Sequence, residues 1–405
     1  MLSRPQPLGV FPYPAGLLLL PSVAATEESL AAEVRADLMR GATPGEWPSA
    51  WQAYGHALAG DRDAALAALQ ADKSAVGAYN RFVMSGDAVE LAHATASDDH
   101  TVRVLAKLVA YIQGALDAPP SSNTVDGELR ANVLLAQAAA KLEQQDMAGA
   151  RALLEEGIAD CSSVSPLLAA QLAAQIASMG EPSAETEAQW RRALQFASDA
   201  ALPSLIAELR CGLALVVHQR ADSDRSRLME AVQLYQSALQ AGISRESHPE
   251  LWAQIQSNLG IAYVSAPMTE AGDKLRLAVA VSAFREAMTV YTRETHPEAW
   301  ASAMANMANA MQYLPSSHTK ENLIDAVNAY EELMTVRTRA VDPVGYARLL
   351  ANQGNALAHL GIFQPAVEKL TEAHKLLHWY NEADAATRIL DQLEAINQQL
   401  SLSNS

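Results

Sequence analysis

Cysteine is scarce in this chain. Its two cysteines, Cys161 and Cys211, are fifty residues apart, and neither belongs to a CxxC motif or a histidine-rich stretch. Two cysteines cannot form the disulfide framework of a small secreted domain, and this spacing does not match a zinc site. We expect both to be buried free thiols that pack as small apolar groups. Such usage fits a reducing cytosol without requiring one.

Basic residues are also few relative to acidic ones. The 29 Lys and Arg residues stand against 46 Asp and Glu residues, which gives a formal net charge of −17. Nucleic acids and anionic membranes bind clustered Lys and Arg, so we expect neither as a partner. An acidic surface chiefly favours solubility, although it could help to select a basic partner.

The sequence lacks the motifs that usually carry catalysis. It has no Gly-rich phosphate loop, no nucleophile elbow and no paired metal-ligand motif. His374 and His378 are four residues apart, the spacing of one helix face, but no third ligand is evident nearby. We therefore predict a protein that is not an enzyme, with no catalytic residues, cofactor or metal.

Long apolar runs are missing as well, and the run from residue 15 to 20 is too short to span a bilayer. It lies in a proline-rich stretch, residues 1–25, which is followed by small residues. One interpretation is an extended segment that lies on the first helices of a cytoplasmic protein. The alternative is a weak export signal with a small-residue cleavage site.

Aromatic residues make up only 5% of the chain while half of it is apolar and alanine is abundant, a composition that favours close-packed helices over sheets. We therefore predict an all-α fold. At 405 residues the chain is long enough to bury an extended core.

A sequence frame recurs three times in the last third of the chain. Each copy opens with a proline, carries an asparagine nine residues later, and continues with small and apolar residues. The prolines are Pro249, Pro297 and Pro343, and the asparagines are Asn258, Asn306 and Asn352. An internal repeat of this length predicts units that must stack on one another to bury a core.

The second half of each repeat has its own signature, an Ala-Val pair followed three residues later by a large apolar residue. Apolar positions at three- and four-residue spacing predict one face of a helix. Each repeat should therefore be a helical hairpin. We expect the rings of Tyr235, Phe284 and Tyr330 to fill the space between hairpins.

These residues resemble the tetratricopeptide-repeat (TPR) family, whose unit is a 34-residue helix-turn-helix. The last repeat, from Gly354 to Ala373, fits the family spacing without a gap. The two repeats before it are longer around residues 265–274 and 314–321, which we interpret as lengthened turns. The resemblance implies a TPR-like α-solenoid of stacked antiparallel helix pairs that forms a right-handed superhelix.

Weaker matches upstream complete the predicted organisation. A linker-like stretch at residues 117–127 and a polar interruption at 220–227 separate the helical regions. We predict a Pro-rich N-terminal segment (1–25), a helical module with one TPR-like unit (26–116), degenerate TPR-like repeats (128–220) and a regular array with lengthened turns (228–400).

The family resemblance also implies a binding surface, because the first helices of TPR hairpins line a concave groove. The implied row is Gln254, Asn258, Ser302, Asn306, Arg348 and Asn352, extended one turn further by Asn309, Tyr313, Asn355 and His359. An amide both donates and accepts, which suits a peptide main chain. The competing interpretation is that the asparagines bond to the neighbouring repeat and fix its stacking. A clamp for an acidic chain terminus is not expected, because only Arg348 is basic at the matching positions.

The His-Pro-Glu sequences at two repeat starts have a local explanation. Ser247 with Glu250, and Thr295 with Glu298, have the spacing of a capping box, in which a hydroxyl and a carboxylate satisfy free amides at a helix start. In the third repeat Asp342 should cap the helix alone.

The function predicted from the sequence is a non-catalytic interaction scaffold or adaptor that binds a segment of an unidentified protein or peptide partner in the groove. Two alternatives remain open. One is an assembly chaperone for a multisubunit or metal-containing enzyme, and the other is a regulatory sensor that responds to a ligand or peptide.

Overall fold

The computed structural model describes residues 2–267, 274–314 and 318–403. Nineteen α-helices lie in these ranges, which confirms the all-α prediction. The lengthened turns predicted in the first two of the three C-terminal repeats fall largely on residues 268–273 and 315–317, outside the described residues. The chain divides into two compact units, Met1–Val216 and Val217–Ser405.

The first unit is built from short helices followed by longer ones that pack in consecutive pairs. The helices are α1 (Glu28–Met39), α2 (Gln52–Leu58), α3 (Arg62–Leu69), α4 (Ala75–Ser85), α5 (Ala88–Thr95), α6 (His100–Ile112), α7 (Gly127–Glu143), α8 (Met147–Cys161), α9 (Pro166–Ser178) and α10 (Ala184–Phe196). The division between the units falls within α11 (Pro203–Gln219).

Residues 2–21, the N-terminal segment, form part of the core of the first unit. Leu8, Leu18, Leu19 and Leu20 are at most 1% exposed. Main-chain pairing joins the two ends of the segment, since residues 2 and 21 form an antiparallel bridge. The segment packs on helices of the first unit, but it is folded back on itself and not extended as one of the two interpretations expected.

The second unit contains the repeats. Its helices are α12 (Arg225–Leu239), α13 (Pro249–Ser265), α14 (Lys274–Met288), α15 (Pro297–Met311), α16 (Thr319–Met334), α17 (Pro343–His359), α18 (Phe363–Trp379) and α19 (Ala383–Ser403). Helices α13 and α14, α15 and α16, and α17 and α18 pack as the three predicted hairpins. Helix α19 packs against α18. The chain is therefore a TPR-like array of helical hairpins.

Prolines start the first helix of each hairpin, as predicted. Pro249, Pro297 and Pro343 are the first residues of α13, α15 and α17. Proline is well tolerated there, because its fixed φ suits the helix and the first amide has no intrahelical acceptor.

The predicted capping boxes are wrong. No side chain caps α13 or α15, whose N-cap residues are histidines. The Ser247 hydroxyl instead accepts from the amide of Ser244 (3.0 Å), and that of Thr295 accepts from the amide of Thr292 (3.4 Å). These hydroxyls stabilise the turn before the helix. Asp342 does cap α17, where its carboxylate accepts from the Gly345 amide (2.8 Å).

Large side chains lie over glycines inside two of the hairpins. The ring of Phe284 on α14 lies over Gly260 on α13, so closely that a Cβ on that glycine would be 2.7 Å from it. Leu370 on α18 lies over Gly354 on α17 in the same way, at 2.8 Å. The contact is thus within a hairpin, whereas the sequence analysis placed the rings between hairpins. Close helix approach is set by these glycines.

Helices of the described part are too short or too polar to cross a membrane.

Candidate functional site

A buried tyrosine organises the polar residues of the second hairpin, formed by α15 and α16. The hydroxyl of Tyr330, which is 0% exposed, donates to Asn309 Oδ1 (2.6 Å) and accepts from Gln312 Nε2 (2.7 Å). Burial raises the pKa of Tyr330, so its hydroxyl keeps the proton that it donates. Asn309 on α15 and Gln312, the residue that follows this helix, are thereby held in fixed orientations.

Two asparagines of the next hairpin bond to these residues. On α17, Asn352 donates through Nδ2 to Asn309 Oδ1 (2.9 Å). One turn later, Asn355 Nδ2 donates to Gln312 Oε1 and to the Tyr313 hydroxyl, both at 3.1 Å. The hydrogen bonds therefore link two successive repeats, as the stacking interpretation expects.

The same asparagines border an open groove of about 560 Å³. Its lining residues come from α15, α17, α18, α19 and the residues directly flanking α15 and α19: Asn309, Gln312, Tyr313, Arg348, Ala351, Asn352, Asn355, Leu377, Glu382, Asp384, Ala385, Arg388, Ile389 and Gln392. Amides form one side of this groove, and small or aliphatic side chains form part of its floor.

The groove amides keep hydrogen-bonding capacity. In the described part of the chain, Oδ1 of Asn352 and Oδ1 of Asn355 accept no hydrogen bond, although both amide groups donate. A side-chain amide has two donors and an acceptor with two lone pairs. Both residues can therefore bond to the preceding repeat and to a ligand at the same time.

Charge in the groove is balanced. Arg348 forms an ion pair at 3.1 Å with Glu382, the residue directly before α19, and both side chains are partly exposed. Arg388 and Asp384 add one further charge of each sign. Such a surface does not strongly favour an acidic or a basic ligand.

The structure brings together half of the predicted row. Asn309, Tyr313, Arg348, Asn352 and Asn355 line the groove.

The other five predicted residues lie outside it. Gln254 and His359 are exposed, and the Tyr313 ring contacts the edge of His359 with 5.7 Å between centroids. Ser302 accepts from Arg337 (3.1 Å), while Asn258 and Asn306 are half-buried on their helices.

The sequence analysis missed Gln312, Glu382 directly before α19, and every residue that α19 contributes. Glu382, Asp384, Arg388 and Gln392 follow the last recognisable repeat, so no repeat position pointed to them. A usable signal was the apolar spacing of Ala386, Ile389 and Ile396, which are buried and indicate an amphipathic helix that must pack on α18.

Other candidate chemistry is not supported by the arrangement of the described residues. No group of three His, Cys, Asp or Glu side chains in this part of the chain could hold a metal ion. His374 and His378 stack with 6.1 Å between their centroids. Cys161 and Cys211 are buried thiols that form no disulfide.

Comparison with solved structures gives distant similarities. The chain is similar to a Rap protein complexed with Competence and Sporulation Factor, at 13% identity and a TM-score of 0.39, over 86% of this chain and 96% of that one. It is similar to the P58(IPK) TPR domain at 16% identity and a TM-score of 0.29, over 88% and 98% of the two chains. It is also similar to a human IFIT1 dimer with PPP-AAAA, at 12% identity and a TM-score of 0.27, over 88% of this chain and 95% of that one. At these TM-scores the similarities add nothing to the geometry above. No protein-family model and no curated protein matches the chain.

Proposed function

We propose that the second unit binds an extended segment of a partner protein in the groove between α15, α17 and α19, so that the chain acts as a non-catalytic scaffold or adaptor. The observation that carries this proposal is the groove of about 560 Å³ whose wall is formed by amides of two successive repeats. The side-chain oxygens of Asn352 and Asn355 (Oδ1) remain available to accept a hydrogen bond from a ligand amide.

A peptide main chain fits the chemistry of this wall. Main-chain amides alternate donors and acceptors, and side-chain amides complement both. Ala351 and Ala385 are partly exposed and offer a small apolar surface for the peptide's side chains. The balanced charges favour main-chain recognition over capture of a charged terminus.

Arg348 is the residue best placed to adjust to different ligands. Its side chain is 60% exposed, and its ion pair with Glu382 lies at the surface. Such exposed pairs contribute at most about 1 kcal/mol, so a ligand carboxylate can replace Glu382 at little cost.

A random-peptide phage library panned on the full chain would test the proposal. Selected peptides would be labelled, and their Kd measured by fluorescence anisotropy against wild type and the variants Asn352→Ala and Asn355→Ala. Each variant removes about one hydrogen bond of 0.5–1.5 kcal/mol, so we expect Kd to rise roughly 2- to 10-fold.

The matched control is Asn306→Ala, which removes the same residue type from the equivalent position one repeat earlier, outside the groove. Its Kd should equal that of wild type. Equal weakening by all three variants, or none by any, would place the binding surface elsewhere. Affinity purification from the native host with the same variants would then identify the natural partner.

A further inference from the structure

The first unit holds its own N-terminal segment through buried polar groups. Glu128 of α7 is 1% exposed, and its carboxylate accepts from the Gln6 amide (2.9 Å) and pairs with Arg4 (2.8 Å). Within the described residues, these are the hydrogen-bond partners of that carboxylate. A buried carboxylate without partners is strongly unfavourable, so Glu128 is matched to this segment.

Asn80 of α4 repeats the arrangement at the other end of the segment. It is 5% exposed, its Oδ1 accepts from the Leu19 amide (2.8 Å) and its Nδ2 donates to the Leu19 carbonyl (2.9 Å). Tyr79 donates to the Leu17 carbonyl (2.7 Å), and Trp51 donates to that of Pro21 (2.8 Å). The contacts are to main-chain atoms, which is how a bound peptide is recognised.

The segment is also closed on itself. The Ser3 amide donates to the Leu20 carbonyl (3.2 Å), and the Gln6 side chain both donates to Leu20 and accepts from it. Its ends are therefore adjacent, as in a compact loop packed by its own side chains. Much of its conformation is maintained by internal bonds rather than by the helices.

A single exposed connector ties the segment to the rest of the unit. Ser22, Ala24, Ala25 and Thr26 are exposed, and α1 starts only at Glu28. The tether keeps the segment at a high effective concentration beside its surface.

From these features we infer that residues 2–21 are a separable intramolecular ligand, and that the surface of the first unit beneath them is a second peptide-binding site. This site takes a leucine-rich segment, which Glu128 and Asn80 hold by its main chain and by Arg4. Its occupant in the free protein is the chain's own N-terminal segment.

The experiment replaces residues 22–25 of the full chain with a site-specific protease sequence and cuts the connector after folding. The two pieces should co-elute in size-exclusion chromatography with unchanged helical circular dichroism. A fluorescein-labelled synthetic peptide of residues 1–21, added in excess, should then exchange into the cut protein and saturate it.

Variants decide whether the recognised groups are the ones named. Glu128→Gln and Asn80→Ala should each speed release of the labelled peptide at least 10-fold, and a peptide with Arg4→Glu should bind at least 10-fold more weakly. Asn123→Ala, at an exposed position of the same unit, should change nothing.

Three results would overturn the inference. They are release of the fragment with no rebinding of the peptide, failure of labelled peptide to exchange over days, and loss of the helical signal on cutting. The last two would make the segment a fixed part of the core.

Discussion

Asn306 and Asn352 occupy the same position in successive repeats, yet their surroundings differ. Asn352 bonds to Asn309 of the preceding repeat. The position equivalent to Asn309 in the repeat before Asn306 is Ile261, which offers no hydrogen bond. A repeat pattern therefore predicts where such a residue lies, but its partner depends on the neighbouring repeat. For this reason sequence reasoning found five groove residues together with five that lie elsewhere.

The same comparison gives a prediction for Asn309. Asn309→Ile leaves the buried Tyr330 hydroxyl without an acceptor, which costs about 1–3 kcal/mol. Adding Tyr330→Phe recreates the Ile261 and Phe284 pair of the preceding hairpin and should recover part of that loss. Urea unfolding of the single and double variants measures both. Additive losses would show that the hydroxyl and the amide do not act as a pair.

The thiol of Cys161 should not react with alkylating reagents in the folded chain. It is 0% exposed, and burial raises its pKa from 9.0 to about 12. The reactive thiolate is therefore scarce at pH 8. We expect iodoacetamide to label Cys161 only after guanidinium is added, as read by mass spectrometry of its peptide. Rapid labelling without denaturant would contradict this burial.

Because the pKa of Cys161 is raised in the folded chain, the free energy of unfolding should fall as the pH rises. The unfolded chain releases this proton from about pH 9, whereas the folded chain keeps it until about pH 12. The contribution of Cys161 to the free energy of unfolding is thus complete below pH 9 and is lost as pH rises through this window. Cys161→Ala should flatten that part of the profile.

Helical elements were the most predictable level of the structure. Pro249, Pro297 and Pro343 mark helix starts because proline excludes most other helical positions. Helix caps were less predictable. The Ser247 hydroxyl can accept from an amide of the helix or from an amide of the preceding turn, and local geometry decides which bond forms. Spacing alone does not resolve that choice.

Gly260 should be intolerant of a side chain. A Cβ there would lie 2.7 Å from two atoms of the Phe284 ring, so Gly260→Ala must push α13 and α14 apart. Overpacking of this kind costs about 1–3 kcal/mol. Thermal unfolding should show a lower Tm. Gly45→Ala is the matched control, because nothing lies within 4 Å of a Cβ at that position, and its Tm should stay at or above that of wild type.

At the scale of the whole molecule, composition predicted the class of fold, while the complete groove depended on parts without a repeat signature. Helix α19 lines one side of the groove, and no TPR-like sequence position predicts this helix. The division between the units falls within the continuous helix α11, a few residues before the polar interruption at 220–227 that the sequence shows. Long-range packing decides both.

The net charge of −17 gives a prediction for the intact chain. Polyanions are repelled by such a surface unless basic residues cluster. We expect no retention on heparin at 0.1 M salt and strong retention on an anion exchanger. Retention on heparin that is lost at high salt would reveal a basic patch.

The contact between Asn309 and Asn352 joins the second asparagine of one repeat to the first asparagine of the next. Both repeats carry the same two asparagines three residues apart, Asn306 with Asn309 and Asn352 with Asn355. A pair of asparagines on one hairpin is thus complementary to the same pair on the next, so one short sequence element, used twice, supplies both sides of the contact.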